Sequence, residues 1–582
     1  MSEIDIQEQL LDRRLQLTEG LVSLPYDLVL YIERAVVYGE LGYPDLAAGD
    51  AYRALLLTDE VLTDGFEFHE QALAALRMHL PPPLPDILTY GKLADEWSPP
   101  HGVEAQDNEE TVHELARLSS IRAYQILSLS LLLCGCLKSA LTFCERGLTV
   151  SPSNQELLNT KNSIETVARR RLRRDKFDVN DLPDSGLVRR EVYPWNDHEP
   201  DRFDKASLDA LNDDLKKMAP KCAIQVATLP VLLETASSST DSLDIIPTCQ
   251  QLGVFAQEDI EPDEAVLREY TLLTANNRLK DSVCDACSGD LPPIGSEQEP
   301  VQCDECYDTV FCSQYCHDEA QERYHPAVCE KDVDAIAKDA DKYEAGDTLY
   351  LLLLGRVLAL AAHQEINPLD VREVKFIWGD FVPSRTNDID VSPSAGPPPE
   401  WTLPFSFKYN IETPLHLLEK MDIDIYATLA DYDLWILNTL YAKFRGTASA
   451  RKSLRDGRPD VAAVHPYWCL ANHDCDPNVT WDWGGHMVLR AKADRKVGGK
   501  PGGIRKGEEI LNHYCDIDLP VQQRREWARG SLGGWCMCQR CRTESSGDHG
   551  AAKGTEGDGG GDDDDDDDDH DYREEVAFNG NS

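Results

Sequence analysis

Basic residues are the scarce class in this chain. Lys and Arg number 57 against 104 Asp and Glu, a formal net charge of -47 over 582 residues. Recognition of a phosphate backbone draws on clustered cations, so this deficit excludes nucleic acid as the dominant ligand and favours basic partners. Long apolar runs are missing too. The two longest, Ile126–Leu137 and Leu349–Leu360, are shorter than the roughly 20 residues of a bilayer span, and Arg356 interrupts the second. The first residues, MSEIDIQEQL, have neither the basic start nor the apolar stretch of a secretory signal. An intracellular protein of the nucleus, the cytoplasm or both, with no membrane partner, is the expectation. With 42% hydrophobic and 28% charged residues the chain is neither collagenous nor wholly disordered, and its length allows several compact units.

Cysteine, by contrast, is plentiful, with 18 in the chain. In a reducing compartment, cysteines at short regular spacings read as metal ligands before disulfides. From residue 284 to 329 the spacing is CxxC (Cys284, Cys287), CxxC (Cys303, Cys306), CxxxC (Cys312, Cys316) and HxxxC (His325, Cys329). Seven thiols and one imidazole supply eight ligands, enough for two closed tetrahedral zinc sites. His317 lacks the partner spacing and is expected to stay outside. Near the other end, CMCQRC offers Cys536, Cys538 and Cys541. A tetrahedral zinc there needs a fourth ligand, for which Cys475 in ANHDCDPN is the candidate. Three zinc ions are therefore expected.

The first 170 residues carry apolar positions at helical spacing. Two stretches within them align at an offset of 93 residues, Gly42, Ala47, Ala54 and Asp59 on Gly135, Ala140, Gly147 and Pro152. This resembles the tetratricopeptide repeat, with an ordinary helical bundle as the alternative. Mixed charge and SSSTDS mark 171–245 as a linker with short ordered pieces, and PPPLP at 81–85 as a loop. The cluster Arg169, Arg170, Arg171, Arg173, Arg174, Lys176 reads either as a nuclear import signal or as the solvated end of a helix. Residues 546–582 hold fourteen acids and two bases, including the run Asp562–Asp569. Such a tail is expected to be disordered. Its net -12 leaves most of the -47 in the rest of the chain.

The 284–329 pattern, with FCSQYC and the helix-like DEAQERYH, resembles the MYND zinc finger. That resemblance implies interleaved sites, Cys284, Cys287, Cys312 and Cys316 on one metal and Cys303, Cys306, His325 and Cys329 on the other. LANHDCDPNV at 470–479 resembles the NHxCxPN motif of SET-domain methyltransferases, GEEILNHYCD at 507–516 the segment that follows it, CMCQRC the post-SET segment, and GVFAQEDIEPDEAVLREYTLL at 253–273 the first SET strands. In this order the pieces resemble the SET-and-MYND lysine methyltransferase family, over roughly 246–545.

The fold implied is multidomain α+β: N-terminal helical repeats, a β-rich SET core split by a MYND finger and a helical insertion, and a zinc-binding post-SET segment. The expected divisions are 1–170 helical, 171–245 linker, 246–280 first SET part, 281–330 MYND finger, 331–465 helical insertion, 466–520 catalytic SET part, 521–545 post-SET and 546–582 tail. The resemblance implies an S-adenosylmethionine-dependent transfer of methyl groups to lysine in a histone or another basic protein. Asn472 and His473 would contact the cofactor, a loop at Gly253 would close over its other end, and Tyr514 would stand where the cofactor and lysine pockets meet, its hydroxyl orienting the amine. Glu508 and Glu509 read as solvated turn residues, and Cys515 as an ordinary thiol. No strand-turn-helix GxGxxG is present, which disfavours the doubly wound class of methyltransferases. The chain departs from the family pattern at Gln251, where a glycine is usual, and at Gly534–Trp535, where the channel aromatic is usually placed one residue earlier. The alternative is a non-catalytic scaffold whose helical repeats and finger bind peptides.

Overall fold

A computed structural model of the chain describes residues 3–80, 83–97, 109–230, 232, 248–277, 283–378 except 334, 339 and 342, 401–452, 457–495, and 502–548 except 533. The SSSTDS stretch, residues 496–501, the first prolines of PPPLP and the run Asp562–Asp569 lie outside the described residues. Two compact units emerge, one of residues 191–398 and 439–582, the other of residues 1–190 and 399–438.

The unit of 191–398 and 439–582 is built on short antiparallel sheets. Strand Cys222–Pro230 pairs along its whole length with Thr248–Ala256, from Cys222 opposite Ala256 to Pro230 opposite Thr248. Gly253 therefore lies within a strand, opposite Gln225, and not in the loop expected for it. The neighbouring residues explain the correction: Leu252 and Val254 are buried in the core, and that burial holds the backbone extended. Strand Ala265–Glu269 pairs with Met487–Ala491, which pairs in turn with Val479–Trp483. Val266, Leu267, Val479, Met487 and Leu489 bury these strands in the same core.

Thr274–Asn276 pairs with Pro459–Ala463, and that strand with Ser449–Lys452. Residues 449–463, expected in a helical insertion, thus form strands, because Val461, Ala462 and Ala463 are buried beside a partner distant in sequence. Helix Ala345–Gln364 is long and apolar enough by length and composition to cross a membrane, longer than the apolar run at its centre. Leu353, Leu354, Val357, Leu358 and Leu360 are all fully buried within the protein, which makes it a core helix. Arg356 fits there because its guanidinium donates to the carbonyls of Leu272 (3.1 Å) and Asp285 (2.9 Å). The stretch read as a linker also holds helix Lys205–Met218, started by Asp204, whose side chain accepts from Ser207 N–H at 2.7 Å.

The unit of 1–190 and 399–438 is mainly helical. Leu28–Glu40 and Pro44–Leu62 form one helical hairpin, Glu109–Leu133 and Leu137–Val150 another. The aligned glycines occupy equivalent turns, Gly42 with φ 82° and Gly135 with φ 84°, a left-handed backbone in which a side chain is strained. Ala47, Ala54, Ala140 and Gly147 are all buried. The two hairpins differ at their ends, the first running past Asp59 to Leu62 while the second stops at Val150 before Pro152. Arg169, Arg170 and Arg171 occupy the last turn of helix Gln155–Leu172. Strand Ser185–Arg189 pairs with Trp401–Ser406, so residues 401–438, expected within the helical insertion 331–465, build onto the helices of this unit. A partner so distant in sequence leaves no trace in local periodicity.

Arg34, Arg53, Asp50 and Asp433 form a buried charge cluster inside this unit, none more than 3% exposed. Arg34 holds Asp50 with two bonds of 2.7 and 2.8 Å and Asp433 with two of 3.0 and 3.3 Å. Arg53 lies 3.6 Å from Asp433 and donates to Tyr432 O at 3.3 Å. Two cations and two anions cancel, so the group is tolerated as a set and not as parts. Asp433→Ala should cost about 3 to 5 kcal/mol of stability because it strands guanidinium charge in the core. Thermal unfolding checks this, and an unchanged Tm would show that the charges are not coupled.

Candidate catalytic core and metal centres

Three groups of four ligand atoms converge, Cys284, Cys287, Cys312 and Cys316; Cys303, Cys306, His325 and Cys329; and Cys475, Cys536, Cys538 and Cys541. A further group of three, His473, Cys475 and Cys515, shares Cys475 with the last, and every ligand atom of a group is within 4.8 Å of the others. Local structure brings them there. Cys316 lies in the first turn of helix Gln314–Arg323, capped by Ser313, and His325 opens a 3-10 turn just after it. Four thiolates placed around zinc at about 2.3 Å stand about 3.8 Å apart. The observed separations match this: 3.8 Å for Cys287–Cys312, 3.9 Å for Cys303–Cys329, 3.9 Å for Cys475–Cys536 and 3.6 Å from Cys306 to His325 Nε2. A disulfide would need about 2.05 Å. The clusters could therefore hold zinc.

Donors around the sulfurs suit thiolates. Tyr270 hydroxyl points at Cys316 (3.6 Å), Gln321 Nε2 at Cys303 (3.4 Å) and Cys541 N–H at Cys538 (3.4 Å). His317 stays outside the groups, its Nδ1 on Asp318 at 2.9 Å.

Cys475 joins the third cluster to the polar loop 472–478. That loop runs parallel to residues 507–514, with Asn512 N–H donating to Asn472 O (2.8 Å) and Asp474 N–H to Asn512 O (2.8 Å). Asn478 fastens the pair with both ends of its amide, accepting from Leu511 N–H at 2.8 Å and donating to Glu509 O at 2.7 Å. Asn472 Nδ2 uses both hydrogens, one on Leu252 O (2.9 Å) and one on Glu509 Oε1 (2.7 Å). The backbone around Asn472, not its NH2 group, is what remains for a ligand. Gly253 lies against the same pair: a Cβ there would come within 2.6 Å of Glu509 Oε1 and 3.1 Å of Asn472 Nδ2. Burial raises the Glu509 carboxyl above its ordinary range, against the pull of Asn472. It is a packed, bonded group and not the solvated turn residue expected, while Glu508 is exposed.

His473 Nδ1 accepts from Tyr514 N–H at 3.0 Å, so the neutral ring carries its proton on Nε2, which faces Cys475 Sγ at 3.3 Å. One imidazole thus links the Tyr514 backbone to the thiol cluster. Cys515 approaches from the same side, and hydrogen bonding from Cys515 and then Cys536 pulls the Cys475 thiol below its ordinary range.

Tyr514 hydroxyl meets two backbone carbonyls, Ala471 O at 2.8 Å and Cys469 O at 3.3 Å. Its ring packs on Trp468 and His473, with centroids 6.0 and 5.4 Å away. Burial pushes the phenol well above its ordinary pKa, so it stays neutral. Three oxygens of partial negative charge converge at one point, which suits a small group carrying positive charge. Trp481 continues the aromatic surface from Trp468, 6.0 Å between centroids. Trp535 is 7% exposed and faced by Arg525 and Arg529, so it serves the packing of the terminal segment. A polar cleft of about 190 Å³ lined by Asp474, Asp476, Arg495, Glu509 and Arg540 borders the loop. Ligand pockets begin near roughly 300 Å³, so this cleft is too small to take a nucleoside cofactor whole.

Sequence reasoning passed over Asn478, Glu509 and Cys515. Asn478 could have been found, since an asparagine directly after a proline in a polar loop has both a donor and an acceptor to offer a neighbouring strand.

A model of the SET domain matches residues 251–515. Over 82 residues the chain is 34% identical to the histone-lysine N-methyltransferase SMYD3 of Homo sapiens, and over 84 residues 32% identical to the N-lysine methyltransferase SMYD2 of Homo sapiens, each match taking 14% of this chain and 17% of the relative. The potential protein lysine methyltransferase SET6 of Saccharomyces cerevisiae is 32% identical over 88 residues, 15% of this chain and 21% of that protein. The chain thus aligns with about a fifth or less of these relatives' length. The strand bearing Gly253, the loop 472–478 and the segment 507–515 all fall within the SET match, so residues 251–515 are similar to a SET domain and the chain resembles the SET-and-MYND methyltransferases SMYD3 and SMYD2.

Proposed function

We propose that this protein transfers methyl groups from S-adenosylmethionine to lysine side chains of a basic protein, a histone being one candidate, and that it binds three zinc ions. The observation that carries the reading is the meeting of Tyr514 hydroxyl with the carbonyl oxygens of Ala471 and Cys469. The site offers a cofactor polar contacts: the Asn512 amide is fully buried beside Asn472 with neither its nitrogen nor its oxygen paired, and Gly253 packs against Asn472 and Glu509 where a Cβ would collide. When bound, S-adenosylmethionine supplies an electrophilic methyl on a positively charged sulfur.

The chain's own residues do the rest. The oxygens of Tyr514, Ala471 and Cys469 would favour the positive charge of a methyl group brought among them. With its hydrogen on the Ala471 carbonyl, the neutral Tyr514 hydroxyl would orient an incoming amine by accepting its N–H, leaving the nitrogen lone pair free, and Trp468 packs beside it as a wall for an aliphatic lysine stem. Lysine enters as its neutral amine, a small fraction at pH 7 given an ordinary pKa near about 10.4. No side chain near Tyr514 is needed as base, since water takes that proton, and rate should rise with pH. The chain's -47 charge draws Lys-rich segments into encounter and disfavours nucleic acid. The finger exposes Ile294 (97%) and Tyr307 (69%), which suits apolar peptide contacts, and the helical repeats are proposed to take peptides as well. A nuclear or cytoplasmic location and independence of membranes complete the proposal.

Titration calorimetry should detect S-adenosylmethionine binding, and labelled methyl should pass to core histones. Tyr514→Phe should lower kcat at least roughly 100-fold while cofactor binding persists, and a protein that binds no cofactor would end the catalytic reading in favour of a peptide scaffold. Elemental analysis should find three zinc ions per chain. Cys475→Ser should lose one of them and His317→Ala none; equal losses would mean the ligand sets are wrong.

A further inference from the structure

Glu269 ends the strand Ala265–Glu269 and is 1% exposed. A carboxylate so buried is costly unless its lone pairs are used. Here both oxygens accept from consecutive backbone donors, Oε1 from Tyr467 N–H at 3.0 Å and Oε2 from Trp468 N–H at 2.8 Å. The residues so held open the 3-10 turn Trp468–Leu470. That turn and the residue after it present Cys469 O and Ala471 O to Tyr514 hydroxyl, and it carries the Trp468 ring that packs on Tyr514. Two hydrogen bonds therefore separate a buried carboxylate from the oxygens of the proposed reacting centre. Neighbouring polar groups are engaged elsewhere, Cys469 N–H on His465 O and Tyr467 hydroxyl on Asp214 at 2.8 Å.

We propose that Glu269 is a positioning residue for methyl transfer, its carboxylate fixing the turn whose carbonyls ring the methyl and whose tryptophan walls the lysine. The inference rests on the methyltransferase reading above. An ionised Glu269 offers acceptors to both N–H groups. Once protonated, one oxygen becomes a donor facing a donor, so one of the two bonds is lost and the turn is released. Burial pushes the carboxyl up to about 7, against the pull of Tyr467 and Trp468 N–H and of Arg372 and with a small upward push from Asp214. Arg372 and Asp214 are themselves paired at 2.8 Å, and the buried Cys469 thiol nearby is held neutral, so the other groups facing Glu269 stay constant across neutral pH. The bonds are present above about pH 7 and are lost below it.

The test uses the full-length protein with S-adenosylmethionine and core histones. Deprotonation of the lysine alone gives log(kcat/KM) a slope of one against pH; loss of a second proton, from Glu269, should steepen it toward two below about pH 7. Glu269→Gln keeps the shape and one acceptor. It should lower kcat at least roughly 10-fold, leave the calorimetric affinity for S-adenosylmethionine unchanged, and show a slope of one throughout. Wild-type protein with a single slope, or Glu269→Gln with wild-type kcat, overturns the positioning role even if the variant is poorly folded, because the wild-type profile stands without it. Wild-type protein that binds cofactor and transfers methyl with a single slope sinks this inference alone. Failure to bind the cofactor at all sinks the methyltransferase reading and this inference with it.

Discussion

The structure around Tyr514 depends on holding two polar chain segments, 472–478 and 507–514, side by side in a protein interior. Backbone donors and acceptors buried there must find partners, and the segments find them in each other and in two asparagines. Asn478 grips the neighbouring segment with both ends of its amide, while Asn472 ties Glu509 to the strand that bears Gly253. The polarity of NHDCDPN is thus structural before it is chemical. A loop of apolar residues would bury more easily but could not cross-link two irregular strands, and the carbonyls of Cys469 and Ala471 would then have no fixed direction.

Cys475 adds a second constraint at the same place. It belongs to the loop and to the thiol cluster with Cys536, Cys538 and Cys541, so a metal bound there would fasten the terminal segment over the loop. His473 passes the constraint on, donating toward Cys475 with one nitrogen and accepting from the Tyr514 backbone with the other. The 284–329 segment shows the same economy in a region of little apolar material. Strands of two residues, Val301–Gln302 and Val310–Phe311, could not hold by themselves, and a metal bound by ligands that only folding assembles would there add folding energy.

Much of this was legible in the residues. Eleven ligand positions could be named because CxxC, CxxxC, HxxxC and CMCQRC sit close in sequence, and a twelfth, Cys475, because CMCQRC is one ligand short; the structure brings these residues into three groups of four. Gly42 and Gly135 could be matched because a left-handed turn between helices demands the same residue in both. Glu509 was not legible. It sits in a charged pair beside Glu508, and only the approach of Asn472, far away in sequence, gives one of them a packed partner while the other stays exposed with a local bond to Arg505 N–H. Glu269 was hidden likewise, as one acid at the end of an amphipathic strand.

Residues 401–438 mark the limit most plainly. Nothing local says that Trp401–Ser406 pairs with Ser185–Arg189, or that Asp433 closes a charge cluster with Arg34 and Arg53. The sequence by itself determined the chemistry available: thiols in pairs, a polar motif, a tyrosine at a set distance from it and a strongly acidic composition. Tertiary structure alone decided which acid is buried, which carbonyls face Tyr514 and which unit a distant segment joins. The physical reason is that ligand spacing and turn geometry act over a few residues, whereas burial and hydrogen-bond partnership are settled between residues that only folding makes neighbours.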